Sequence, residues 1–441
     1  MSRVAYAGYI YPTSGDPAGL AGIADFNGSA ISHFGTDKTN VTSDTKVFWF
    51  KNADNDNRVL IAETQYDSNY DPLPSKFTVV DGANLNSVKG VNGVNWGSLV
   101  NVYALIRQGD YLVGIDYDEC TVFRVLNSTG DTYSYQTGVF TLNLANADLN
   151  PAIATPYPSQ QFGVDVSTDG TNIFALFIKG DDVYGGDYDP SLLVKLNLDL
   201  TLPTGTGVVN NTGAALAENA FSAQKYGSDL YVVSVGGMQN YGSTNGAASK
   251  IQKVAKSTMV TNDLLVGGAT NDQTLGDFRA LSFRDDGSEA FILTGALNTD
   301  GETFTGALYR TTMSALAGAG GGVITSISGI VSTNITTIPG YLWSLLYSQE
   351  EDMTWMARGN DLAVYKYNPP VPVPPTPASV AVVDAKSINT LSSVSGYSLN
   401  AVTLYNNIKV QTLRGAAQPA MASNSARALI ERKKLLANTK K

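Results

Sequence analysis

The sequence predicts an all-β chain assembled from small repeated sheets, and three observations carry that reading. Short apolar strands recur in pairs around tight polar turns. No stretch before residue 368 shows the 3.6-residue apolar period of an amphipathic helix. A basic residue returns at one position of successive units.

The paired strands come in order along the chain. The first is Val47-Phe48-Trp49-Phe50, turn Asp54-Asn55-Asp56, then Val59-Leu60-Ile61. Tyr103-Ala104-Leu105 turns at Gln108-Gly109-Asp110 into Tyr111-Leu112-Val113, and Val164-Asp165-Val166 turns at Thr168-Asp169-Gly170 into Ile173-Phe174-Ala175-Leu176. Phe221-Ser222-Ala223 turns at Gly227-Ser228-Asp229 into Leu230-Tyr231-Val232-Val233. Leu281-Ser282-Phe283 turns at Asp286-Gly287 into Phe291-Ile292-Leu293, and Leu345-Leu346-Tyr347 turns at Glu351-Asp352 into Met353-Thr354-Trp355. Gly, Asn and Asp tolerate the positive φ that a tight hairpin demands, so each turn has a physical reason to be one.

A third strand follows each pair and carries the returning cation: Arg124, Lys195, Lys253, Arg310 and Lys366. The last four are spaced 58, 57 and 56 residues apart. Side chains alternate faces along a strand, so one position in one strand points the same way in every unit. The simplest reading is a solvated outer face that keeps the sheets soluble; a ring of cations serving a ligand is the alternative.

This pattern resembles the β-propellers as a superfamily, over residues 3 to about 368. One four-stranded sheet cannot bury both of its faces, whereas sheets stacked around an axis bury each other's and leave only short edges. Neither the Trp-Asp nor the kelch signature is present, so the resemblance implies a fold and no particular family. Six hairpins are visible between residues 47 and 357. Residues 4–35 read as the later strands of another blade, which favours seven four-stranded blades. Six result if those strands complete the last blade instead. Closure by a strand from the opposite terminus is what such a ring favours.

Beyond the propeller, assigned to residues 1–368, lies Pro369-Pro370-Val371-Pro372-Val373-Pro374-Pro375-Thr376-Pro377. Such a run predicts an extended, semi-rigid linker over 369–377. Residues 378–441 then read as a small β/helical tail that tethers or assembles the protein. Its basic helix, 423–439, carries Arg427, Arg432, Lys433 and Lys434.

Composition narrows the function. The 441 residues carry 29 Lys+Arg against 39 Asp+Glu, a net charge of −10, with no basic stripe, which argues against a nucleic-acid partner. No apolar run approaches the roughly 20 residues of a membrane span. With one Cys and one His there is no disulfide framework, no Cys-based zinc site and no multi-His centre. The chain opens without an apolar secretory segment: either a signal was removed or none was used. Low charge with abundant Gly, Ser, Thr, Asn and Tyr suits an extracellular setting, on a virion or a bacterial cell surface.

The loops between second and third strands should share one face, and several are alike. They offer Tyr66, Tyr70 and Asp71; Tyr184, Asp187 and Tyr188; and Asn240 and Tyr241. Aromatic rings beside fixed polar groups suit a glycan or a surface receptor; equally, Asp, Asn and Gly simply make turns. The acidic turns Asp54-Asn55-Asp56, Asp116-Tyr117-Asp118-Glu119 and Asp187-Tyr188-Asp189 offer oxygens to a structural calcium ion, but none has the spacing of a calcium-binding loop, and the expectation is no cofactor. His33 reads as structural and Cys120 as inert. The sialidase box and the common phosphate loops are absent. The sequence therefore predicts a non-catalytic binding or structural module, joined to other structural proteins through residues 369–441. The alternative is a secreted propeller hydrolase or lyase acting on polysaccharide, marked by two carboxylates about 5–9 Å apart in a central pocket.

Overall fold

Each of the six turns named above holds a residue at positive φ: Asn55 (65°), Gly109 (56°), Gly170 (94°), Gly227 (57°), Gly287 (69°) and Asp352 (51°). The reversals they impose set the fold. A computed structural model describes residues 2–412 except 11–17, 43, 68–71, 143–159, 181–187, 204–212, 237–246, 268–276, 285, 299–302, 340–341, 350, 373–374, 393–396 and 405–409. It is a ring of seven antiparallel blades, a seven-bladed β-propeller with almost no helix.

Blade 2 runs outward through Thr45–Lys51, Asn57–Tyr66, Pro72–Asp81 and Asn84–Val88, with Val94–Asn95 also on its third strand. Blade 3 is Val102–Gln108, Tyr111–Asp116, Thr121–Leu126 and Ser134–Thr141; blade 4 is Gln160–Thr168, Asn172–Gly180, Tyr188–Asn197 and Gly213–Glu218. Blade 5 is Ala220–Tyr226, Asp229–Ser234, Lys250–Ala255 and Thr261–Val266; blade 6 is Asp277–Phe283, Glu289–Leu297, Thr303–Thr312 and Val331–Pro339. Blade 7 is Leu342–Ser348, Met353–Arg358, Asp361–Asn368 and Ser379–Ser387. Blade 1 joins the chain's two ends: Ser398–Leu404 is its inner strand, followed by Ser2–Ile10, Ala18–Phe26 and the short outer strands Ile31–His33 and Lys38–Val41.

That closure corrects the boundary expected at residue 368. Ser379–Ser387 pairs with Asp361–Asn368, and Ser398–Leu404 pairs with Ser2–Ile10, so both belong to the ring rather than to a tether. The proline run is not an interdomain spacer either. Val371–Pro372 pairs with Pro375–Thr376, making the connection between two neighbouring strands of blade 7. The physical reason is edge satisfaction: without these strands blades 1 and 7 would each expose an unpaired ladder. Val410–Thr412 then adds to the axial edge of Ser398–Leu404 and lies against the inner strands of blades 2, 3 and 7. The basic segment with Arg427, Arg432, Lys433 and Lys434 lies outside the described residues.

The core sits between blades rather than within them. Tyr117 stacks on Phe162 across blades 3 and 4 (4.4 Å), and Phe291 on Tyr347 across blades 6 and 7 (5.4 Å). Trp355 meets Phe26 edge-on across the closing seam, where its indole N–H donates to Ser2 Oγ at 2.8 Å. Three of the third-strand cations clip blades together instead of merely facing solvent, while Lys366 is exposed. Arg124 donates to Leu198 O in the next blade and Lys195 to Lys256 O in the next, while Arg310 lies over the Tyr367 ring at 4.0 Å.

Candidate functional site

Inner strands decide which side chains surround the axis. In six blades the inner strand shifts register near the end that carries the second-to-third-strand loops. Tyr103, Val164, Phe221, Arg279, Trp343 and Asn400 fall at the shift. The inner strand of blade 2 keeps regular pairing from Thr45 to Lys51. Alternation is therefore preserved there, and Lys46 falls on the same side as Phe48 and Phe50, which pack against blade 3.

An apolar side would not hold an ammonium without partners. Lys46, its side chain 3% exposed, donates to Asp44 Oδ1 at 2.8 Å and to Asn101 Oδ1 at 2.6 Å, and it sits 5.9 Å from the Tyr103 ring centre. The Tyr66 hydroxyl, half-buried, donates to Asp44 Oδ2 at 3.4 Å. Asn101 Nδ2 donates to Asp118 Oδ2 at 3.0 Å, and Asp118 is exposed. A hydrogen-bonded chain thus runs from solvent at Asp118, through buried Asn101, to the Lys46–Asp44 pair and Tyr66.

The loop that presents Asp118 is held by Asp116. Its carboxylate, fully buried, accepts from the backbone N–H groups of Val100 and Asn101 (2.7 Å each) and Glu119 (2.8 Å). Burial pushes its pKa up to about 6, while those three N–H donors pull the other way. Blade 4 backs the loop: Gly163 N donates to Tyr117 O at 3.0 Å, and a Cβ on Gly163 would come within 2.5 Å of Asp116 O. With its oxygens accepting from backbone donors, Asp116 braces the loop. Among the described residues no group of three or more His, Cys, Asp or Glu is arranged to hold a metal ion. In the first acidic turn, Asp56 pairs with Arg58, and Asn52 Oδ1 accepts from the Asp54 and Asp56 N–H groups.

Cys120 closes the same loop, and burial together with Asp116, Asp118 and Glu119 pushes its thiol up to about 12, far from a thiolate nucleophile. His33 is on an outer strand of blade 1, its Nε2 2.9 Å from Asp37 Oδ1, well away from the cluster.

Of the rim residues expected from the sequence, Tyr66 belongs to the cluster. Tyr188 is in the third strand of blade 4, where its backbone pairs with Gly180. Tyr70, Asp71, Tyr184, Asp187, Asn240 and Tyr241 lie outside the described residues. Lys46, Asn101 and Asp118 were missed as a set because their contact crosses between blades, 55 residues apart for Lys46 and Asn101; the one local signal was Asp116-Tyr117-Asp118-Glu119.

A second inner-strand pair occurs in blade 6. Arg279 Nη2 and Asp277 Oδ2 are 3.0 Å apart, both side chains 1% exposed. Arg279 Nε also donates to Gly295 O, and the guanidinium lies 5.2 Å from the Phe304 ring centre.

No protein-family model matches the chain, and no curated protein matches it by sequence. Solved structures do share the fold. A protein from Bacteroides fragilis provisionally assigned as a 6-phosphogluconolactonase superposes with a TM-score of 0.51 at 9% identity, covering 90% of this chain and 96% of its own. A protein from Lactobacillus plantarum gives 0.52 at 9%, covering 90% and 98%. The periplasmic gluconolactonase of Pseudomonas aeruginosa gives 0.49 at 11%, covering 91% and 99%.

Proposed function

We propose that this propeller, the fold it shares with the Bacteroides fragilis protein, is a hydrolase acting on a carbohydrate-derived substrate at the loop face of blades 2 and 3. The expectation of a chain without catalysis is withdrawn, because a full-length structural counterpart carries a provisional lactonase assignment. The observation that carries the proposal is the hydrogen-bonded chain from exposed Asp118 through Asn101 to buried Lys46.

Its chemistry follows from position. A central pocket with two carboxylates is not the arrangement favoured, since Val410–Thr412 lies on the axis side of the inner strands; the reacting groups sit off-axis. Asp118 takes a proton from water as the water oxygen adds to a lactone or ester carbonyl. Asn101, its Oδ1 held by the Lys46 ammonium, fixes the carboxylate's orientation. The C–O bond then breaks, and the leaving oxygen receives the proton. Tyr66 offers a ring face and a hydroxyl to the sugar.

The test is turnover by the full chain of glucono-δ-lactone, sugar esters and a polysaccharide panel, measured above the buffer rate. Asp118→Asn should lower kcat/KM roughly a hundredfold or more with the melting temperature unchanged. No turnover by the parent, or equal turnover by D118N, ends this reading.

A further inference from the structure

At the opposite end of the same strands, between blades 1 and 2, lies a pocket of about 310 Å³. Its walls include Arg3, Trp49, Arg58, Asp56, Asp81 and Lys89. Asn57–Tyr66 spans the distance from this pocket to the Tyr66 cluster, roughly 30 Å at 3.3 Å per residue, so the two sites are separate.

The charges lining the pocket are unequally committed. Arg58 is spent: it makes a bidentate pair with Asp131 (2.7 and 2.8 Å), reaches Asp56 Oδ2 at 3.0 Å and donates to Asn57 O at 2.9 Å. Asp56 is thereby neutralised. Asp81 accepts the Ala83 N–H at 2.8 Å through Oδ1, while its Oδ2 stands 3.8 Å from Arg58 and 3.9 Å from Lys89. The other two cations are held loosely. Arg3 stacks on the Phe34 ring at 3.6 Å, its Nε is 3.7 Å from Asp25 Oδ1, and that buried Nε has no hydrogen bond among the described residues. The 3.7 and 3.9 Å separations exceed hydrogen-bond length. Stacking fixes the plane of the Arg3 guanidinium, which leaves its donors arranged as a fork.

We infer that this pocket binds a small oxyanion, a carboxylate or phosphate carried on a compact polar molecule. The Arg3 fork and the Lys89 ammonium hold the oxyanion above a floor that includes buried Trp49. A planar guanidinium with a second, point-like cation in the same pocket is the donor set that a carboxylate or phosphate satisfies. Trp49, 1% exposed, gives the pocket an apolar floor. The inference stands apart from the hydrolase reading, since none of its residues belongs to that cluster.

The experiment is calorimetric titration and thermal-shift measurement on the full chain, with inorganic phosphate and sodium gluconate as separate probes and ionic strength held constant with chloride. Saturable binding of either probe is expected, with phosphate alone or gluconate alone identifying which oxyanion the site takes. Arg3→Gln and Lys89→Gln should each weaken binding roughly tenfold, and Asp81→Asn should tighten it by removing the opposing charge. K89Q changes a partly exposed side chain and so separates lost binding from lost folding. No saturable signal with either probe, or parent-like binding by the R3Q/K89Q double variant, overturns the inference.

Discussion

Blades 2 and 6 place the same charge pattern, an Asp two residues before a cation, at the same end of the inner strand, yet the two pairs live differently. Asp277–Arg279 is sealed from water, both side chains 1% exposed, with Gly295 O and the Phe304 ring beside the guanidinium. In Asp44–Lys46 the carboxylate is 10% exposed, and the pair connects through Asn101 to a carboxylate in water. Register explains part of the difference. Arg279 sits at a shift that re-aims it, whereas Lys46 keeps its place in a regular strand and reaches blade 3. A buried ion pair can take part in chemistry where a polar path leads out of it, as from Asp44–Lys46; burial alone repays, at best, its own desolvation.

The comparison holds only while the ring is closed, and opening the ring is the most drastic way to break it. Deleting residues 369–441 removes the outer strand of blade 7 and the inner strand of blade 1. Cooperative thermal unfolding should be lost, while deletion of 413–441 should leave it in place. If both truncations melt like the parent, the closing strands are not structural. Within the closed ring, Arg279→Met strands Asp277 in a sealed site and should cost about 3–5 kcal/mol. The D277L/R279M pair should recover most of that loss by removing both charges together. Lys46→Met leaves Asp44 with some access to water and should cost about 1–3 kcal/mol. Denaturant melts giving K46M the larger penalty would reverse the assignment of sealed and connected sites.

Much of the fold was legible because its determinants are local. Each of the six hairpin turns announced its positive-φ residue within three positions, and the third-strand cations Arg124, Lys195, Lys253 and Arg310 marked four blades in register, with Lys366 two residues out of step in the fifth. The closing strand was not legible in the same way. Ser398–Leu404 pairs with Ser2–Ile10, and no local pattern names a partner that far off. The proline run misled for a related reason: Pro372 and Pro375 pair with each other, a geometry that composition does not distinguish from an extended spacer. At the candidate site, Tyr66 was found because its loop is rich in turn and aromatic residues. Asn101 was not, because an amide before an apolar strand is unremarkable until Lys46 from the neighbouring blade is laid against it.

The smallest effect separates the two regions by pH. Burial raises Asp116 to about 6, and burial also raises Asp37. For such groups the folded state holds its proton more tightly than the unfolded chain does. The stability they confer is present at low pH and is lost as pH rises from the unfolded carboxylate value through the folded one. Asp131, held down by its hydrogen bonds to Arg58, has the opposite sign, and its contribution is lost as pH falls below the ordinary carboxylate range. The melting temperature should therefore rise by roughly 1–2 °C as pH drops from 7 to 5, then fall on further acidification. Asp116→Asn, compared at each pH, should lose most of the rise between 7 and 5, because Asp116 is the carboxyl that titrates beneath the Asp118 loop. A parent-minus-variant difference that stays constant across that window would mean Asp116 is ionised throughout, its three backbone donors outweighing its burial. The connected site would then keep that negative charge under Asp118 below pH 6 as well as above it.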